Sequence, residues 1–167
     1  MVDGIYVTAT GTTTNAGNAL QTNNPLEVNG AVEIKNIYTN GYKDNSNSSA
    51  VVVKNSGTTQ GSLTGTGSIT VIGNGTTAPD GTVYEHGVYN GILVNKTEFN
   101  LAGDVSVDTV ENQGIYIADA NSEFTAKDVT VKNVAKGHGV YVNNATGKFT
   151  ATGNYVSDNT HRGLYSN

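Results

Sequence analysis

The sequence predicts an all-β chain wound as a right-handed parallel β-helix, a three-sided β-solenoid with about 23–27 residues per coil. Three observations lead to that fold class. The tripeptide Gly-(Ile/Val/Leu)-Tyr occurs five times, as Gly4-Ile5-Tyr6, Gly87-Val88-Tyr89, Gly114-Ile115-Tyr116, Gly139-Val140-Tyr141 and Gly163-Leu164-Tyr165, and the last four copies start 27, 25 and 24 residues apart. The residues that follow repeat as well. Phe124 and Phe149 each lie ten residues past their glycine, and Phe99 holds the matching place one unit earlier. Each regular unit also contains three short alternating runs, which in 114–138 are Ile115-Tyr116-Ile117, Phe124-Thr125-Ala126 and Val129-Thr130-Val131. Such alternation marks a strand with one buried face, and the Asn, Asp, Gly and Lys between the runs make turns.

One unit cannot bury its apolar face alone, so equivalent strands must stack in parallel, about 4.8 Å apart. Ile115, Ile117, Phe124, Ala126, Val129, Val131 and Val134 are expected to point inward, with Val140, Val142, Phe149, Ala151, Asn154, Val156 and Asn159 stacked on them. Val105, Val107 and Val110 align with Val129, Val131 and Val134 once an extra residue near Gly103 is allowed. Two earlier units are degenerate: 26–37, preceded by Gly4-Ile5-Tyr6-Val7, and 50–72. The polar stretches 8–24, 40–49 and 73–86 read as loops that leave the coil between strands. The chain thus reads as a single segment over 1–167, with irregular, looped coils in 1–86 and regular coils in 87–167. Both ends fall at the same phase of the repeat without a polar cap, so the segment reads as a window of a longer solenoid, with Met1 as an added start.

Composition agrees and excludes several alternatives. Thr (23), Asn (22) and Gly (21) dominate, yet β-branched residues recur between them, which suits short strands rather than disorder. The units lack the three-to-four residue apolar period of a helical solenoid and any six-residue period. A β-sandwich leaves the regular spacing unexplained. A net charge of -5, with 9 Lys+Arg spread along the chain, excludes a basic face for nucleic acid. The absence of Cys excludes disulfides and thiolate metal sites. No run approaches the roughly 18 apolar residues of a membrane span.

The repeated G-(I/V)-Y-(V/I) strand starts, the F-T-A and V-x-V runs, the Asn/Thr/Gly-rich turns and the lack of cysteine resemble the passenger regions of bacterial autotransporter adhesins. The resemblance is clear from Gly87 onward and weak before it. It implies a β-helix at the bacterial cell surface or secreted, anchored through an outer-membrane barrel that lies outside this sequence. It implies adhesion, autoaggregation or biofilm formation. The expected partners are a host-surface protein or glycan, or another passenger, with no nucleic acid and no membrane insertion of this segment.

Gly137-His138-Gly139 also matches the G-H-G of polygalacturonases, themselves right-handed β-helices. Those glycosidases need clustered aspartates as general acid and base beside the histidine. Here Asp104, Asp108, Asp119 and Asp128 are isolated, and the N-T-D, D-D and R-I-K segments of that family are missing. No catalytic residue is therefore expected. A polysaccharide-processing β-helix (lyase, glycosidase or tailspike) is the alternative reading. Asp108 and Asp128 could flank calcium, but single carboxylates one coil apart rarely supply its several converging oxygens, so no metal and no cofactor are expected. An ice-binding solenoid would need a continuous Thr array, which Thr125, Thr130 and Thr150 do not form. His161-Arg162, with the chain's sole arginine, reads as an exposed turn.

The tyrosines are the sharpest candidates. If Ile115, Ile117, Val140 and Val142 face inward, Tyr116 and Tyr141 face outward. Tyr89 and Tyr165 then extend the column, giving four phenols at coil spacing on one face. Such a strip can pack on sugar rings or on a protein, or simply stabilise the outer face through cross-strand pairing.

Overall fold

The computed structural model describes residues 2–8, 18–35, 48–77, 81 and 83–167, with backbone alone for 2–8, 74–77 and 84. Eighteen strands and no helix are present among them. All ladders are parallel except one hairpin and one isolated bridge, and successive units stack strand on equivalent strand, an arrangement consistent with a β-solenoid.

Three ladders run through the stack. The first joins β2 (Leu20–Thr22), β4 (Ser49–Lys54), β9 (Asn90–Asn95), β12 (Gln113–Ile117), β15 (His138–Val142) and β18 (Arg162–Ser166). The second joins the start of β3 (Pro25–Lys35) to β5 (Ser62–Gly65), β10 (Glu98–Leu101), β13 (Glu123–Ala126) and β16 (Lys148–Ala151). The third joins β1 (Val2–Thr8) and the end of β3 to β6 (Ser68–Ile72), β11 (Val105–Val110), β14 (Val129–Val134) and β17 (Tyr155–Asp158). β3 is long enough to turn the corner between the second and third ladders, so the degenerate unit at 26–37 is one continuous strand as far as Lys35.

The core is a set of columns made by like residues. Phe99, Phe124 and Phe149 stack with ring centroids 4.6 and 5.6 Å apart. Val105, Val107 and Val110 pair in register with Val129, Val131 and Val134, as the sequence spacing indicates. Ile115, Ile117, Phe124, Ala126, Val129, Val131 and Val134 are all buried. Each valine, isoleucine or phenylalanine among them contributes on the order of 1.5–3 kcal/mol when fully withdrawn from water, and Ala126 less.

The corners also repeat. Thr109, Asn133 and Asn159 adopt left-handed backbone with φ of 57°, 52° and 51°, a conformation that asparagine tolerates better than most residues. Their side chains form a ladder. Asn159 Nδ2 donates to Asn133 Oδ1 at 2.8 Å, and Asn133 Nδ2 donates to Asp108 Oδ1 at 2.8 Å. Where the third ladder turns into the first, a glycine is required. A methyl group at Gly114 would collide with Val131 Cγ1 and sit 2.6 Å from the Gly139 carbonyl oxygen, and Gly91 meets the equivalent Val107 and Gly114.

That glycine column corrects the repeat read from the tripeptides. β12 pairs with β9 through Ile115↔Ile92, Tyr116↔Leu93 and Ile117↔Val94. Gly91-Ile92-Leu93, not Gly87-Val88-Tyr89, is therefore the equivalent of Gly114-Ile115-Tyr116, and the regular spacing is 23, 25 and 24 residues. The steric need for glycine, rather than the tyrosine two places on, marks the repeat. Gly4-Ile5-Tyr6 is also out of phase: it pairs with Ala31-Val32-Glu33 in the third ladder, whereas Gly163-Leu164-Tyr165 belongs to the first. The two ends of the sequence thus lie at different phases.

A further correction concerns the last coil. Val129 pairs with Tyr155 and Thr130 with Val156, because Thr152-Gly153-Asn154 holds one residue more than Lys127-Asp128. A one-residue shift moves every side chain to the other face. Tyr155 consequently packs on Phe149 (centroids 5.2 Å apart) while Val156 faces out at 47% exposure, and Asn154 and Asn159 are exposed. The longer turn is anchored by Asp128, whose Oδ1 accepts from the Asn154 backbone N–H at 2.6 Å.

Of the three expected loops, 73–86 contains an antiparallel hairpin of β7 (Asn74–Thr77) and β8 (Val83–His86). The stretch 8–24 is not all loop, since Leu20-Gln21-Thr22 pairs with Val51-Val52-Val53, and its residues 9–17 lie outside the described residues. Most of 40–49 lies outside them too, while Ser49 begins β4.

Replacing Phe124 by Ala should cost about 3–5 kcal/mol in urea unfolding, because it opens a void between two stacked rings. Gly114→Ala should cost about 1–3 kcal/mol through overpacking. Gly163→Ala, whose added methyl meets nothing closer than Ser157 Cβ at 3.4 Å, should be neutral or slightly stabilising.

Candidate functional site

The outward positions of the first ladder carry the tyrosines. Alternation along β12, β15 and β18 buries Ile115, Ile117, Val140 and Val142 and turns Tyr116, Tyr141 and Tyr165 outward, each half-buried. Register places Tyr116 on Tyr141 and Tyr141 on Tyr165. The rings form a stack with centroids 5.4 Å apart at both steps and interplanar angles of 6° and 19°. This is offset stacking, which leaves part of each ring uncovered.

The column holds three of the four expected phenols. Leu93 occupies the place assigned to Tyr89, and Tyr89 lies in the turn just before β9. Tyr89 remains within electrostatic reach: burial above all, then Tyr141, Asp119 and Tyr89, raises the Tyr116 phenol above its usual range. Tyr141 Oη donates to Asn143 Oδ1 at 2.5 Å, which orients that ring along the strand. Asp119, near Tyr116, is ion-paired to Lys96 at 3.4 Å.

Beside the Tyr141–Tyr165 end lies a group of nitrogen-bearing side chains. The His138 ring is 4.8 Å from Tyr165, 5.6 Å from Tyr141 and 5.6 Å from His161 between centroids. The Arg162 guanidinium carbon sits 4.5 Å above the centre of the Tyr165 ring, a cation–π contact. His138 pairs in register with Arg162, so these groups project from adjacent coils at one edge of the phenol stack. Burial first, then the positive neighbours Arg162 and His161, hold the His138 imidazole below its ordinary pKa, and its Nδ1 is buried without a hydrogen-bond partner. No carboxylate is among the groups that perturb it.

The isolated aspartates serve the backbone corners. Asp108 accepts from Thr109 and Asn133, and Asp128 from Asn154. The Asn154 amide foremost, with Lys127 beside it, holds the Asp128 carboxyl below the usual carboxylate range. Among the described residues no group of three or more His, Cys, Asp or Glu is placed to hold a metal ion.

Two features escaped the sequence reading. Glu111, only 4% exposed, is gripped by His86 Nδ1 at 3.2 Å and Lys136 Nζ at 2.7 Å. The three residues occur at 25-residue intervals, so the coil period itself was the signal. A polar cleft of about 530 Å³ at the corner between the first and second ladders is lined by Gln60, Lys96, Thr97, Glu98, Asn121 and Glu123. It arises from corner geometry, for which no local pattern exists.

Comparison with known protein families, with curated proteins and with solved structures gives no match. The class that fold and site define is therefore an all-β protein of stacked parallel coils bearing an outward aromatic column.

The depressed His138 pKa has a consequence for stability. As the pH falls below the ordinary histidine value of 6.5, the unfolded chain binds the proton before the folded one does. Stability present above that value is lost until the folded pKa is passed. The melting temperature should therefore fall between about pH 7 and pH 5, and fall less steeply in His138→Gln.

Proposed function

We propose that this chain is part of a right-handed, three-sided β-helix displayed on a bacterial surface, where it acts without catalysis in adhesion, autoaggregation or biofilm formation. In this reading it works as the passenger regions of autotransporter adhesins do. The rigid stack carries a contact face outward, and the tyrosine column is that face. The observation that carries the reading is the run of three outward phenols held in register at 5.4 Å. Aromatic side chains present large contact area at low entropic cost, and an outward aromatic strip on a repeat protein is a contact surface of the kind that adhesion needs. The bonds that occupy Asp108 and Asp128 in the corners, and the cationic and aromatic surroundings of His138, also fit a binding role better than acid–base chemistry.

Removing the chain from the bacterium that displays it should reduce attachment and clumping. The combined substitution Tyr116→Ser, Tyr141→Ser and Tyr165→Ser, with the fold checked by circular dichroism, should reduce them to a similar extent. Attachment and aggregation that survive both changes would refute the adhesive role.

A further inference from the structure

We propose that the Tyr141–Tyr165 end of the column, together with Arg162, His161 and His138, binds an acidic polysaccharide, with the phenols against the sugar rings and Arg162 on the carboxylate or sulfate groups. The inference rests on the column being a contact face and names its ligand.

Charge distribution is the first argument. The protein carries a net charge of -5, yet its single arginine and two of its three histidines gather at this edge. Arg162 and His161 are exposed, and Arg162 makes no ion pair among the described residues. Among the described lysines, Lys35 is paired to Glu33, Lys96 to Asp119, Lys127 to Asp104 and Asp128, Lys136 to Glu111 and Lys148 to Glu123, while Lys54 on β4 and Lys132 on β14 make no ion pair but do not belong to this cluster. A free guanidinium whose face lies on a phenol keeps its planar edge of N–H donors for an oxyanion, which suits carboxylate and sulfate in a bidentate fashion. His138 sits against this edge with its ring centroid 4.8 Å from Tyr165 and 5.6 Å from His161, and burial first, then Arg162 and His161, lower its pKa.

Shape is the second argument. The rings recur at the coil spacing, so a ligand that matches them must itself be periodic, with a repeat near the length of one sugar in an extended chain. Offset rings leave apolar surface against which the C–H face of a pyranose can lie. Among the described residues the half-buried Tyr165 makes no side-chain hydrogen bond, which leaves its hydroxyl able to bond sugar hydroxyls. A nucleic acid is periodic and anionic too, but one arginine beside two histidines in an acidic chain neutralises too few phosphates to hold one.

The test is titration calorimetry on the full chain with three probes: oligogalacturonate for carboxylate, heparin-derived oligosaccharide for sulfate, and cello-oligosaccharide as a neutral control. At least one acidic probe should bind at low salt, weakening as salt rises, while the neutral control binds at least tenfold more weakly. Arg162→Gln, an exposed substitution that leaves the core untouched, should weaken acidic binding about tenfold. His161→Gln should weaken it less. Which acidic probe binds tells carboxylate from sulfate recognition. Equal binding of the neutral probe, or an Arg162→Gln protein with undiminished affinity, overturns the inference. Failure of every oligosaccharide to bind also overturns it, even where the triple tyrosine substitution still abolishes attachment, and in that case the adhesive reading stands. Arg162-dependent acidic binding, in a bacterium whose attachment and clumping survive both removal of the chain and the tyrosine substitutions, supports the inference and overturns the adhesive reading instead.

Discussion

Each coil of this protein is too thin to have an inside of its own. Its inward side chains are covered only by those of its neighbours, so Phe124 needs Phe99 on one side and Phe149 on the other, and Val131 needs Val107 beneath it. Registered stacking is the constraint from which the other features follow. It demands like residues at like places, because a column of unlike sizes leaves voids or clashes in a packed interior. It makes stability approximately a sum of coil-to-coil interfaces. It also makes the corners as exacting as the strands, since a corner that is one residue longer changes which face the next strand presents.

The glycine column shows how narrow those demands are. Gly91, Gly114 and Gly139 let the chain turn from the third ladder into the first while a side chain of the third ladder (Val107, Val131 and Ser157 respectively) fills the space a Cβ would take. The asparagine ladder of Asn133 and Asn159 solves a different problem at the bend within the third ladder, where left-handed backbone and a chain of amide hydrogen bonds coincide. In the last described coil Leu164 stacks on buried Val140 on one side and is 52% exposed.

The same stacking that buries Ile115 and Val140 lines up what lies between them on the outside. Tyr116, Tyr141 and Tyr165 are aligned because their neighbours in sequence are core residues, not because the rings attract one another strongly. Once aligned, the half-buried rings stack on one another and Tyr141 bonds Asn143, which adds cross-strand packing to the outer face. Arg162 stacks on Tyr165 and His138 lies under both, so the edge is aromatic and positive at once in a chain that is otherwise acidic. The Glu111 cluster belongs to a different category. There a buried carboxylate ties the end of the inserted hairpin, through His86, to the next coil through Lys136.

By itself, the sequence determined the strand-rich composition, the parallel stack, the Phe99–Phe124–Phe149 column, the valine register of β11 and β14, and the outward tyrosines at 116, 141 and 165. These follow from alternation and period, which are local properties that any reading of the chain contains. What only the tertiary structure decided was phase. The choice of Gly91 over Gly87, the placement of Gly4-Ile5-Tyr6 in the third ladder, the outward turn of Val156 and the meeting of His138 with Arg162 all depend on turn lengths between strands. Tyr89 could be counted into the column from its tripeptide alone, whereas the space beside Val107 admitted only a glycine, and that space exists only once the coils are stacked.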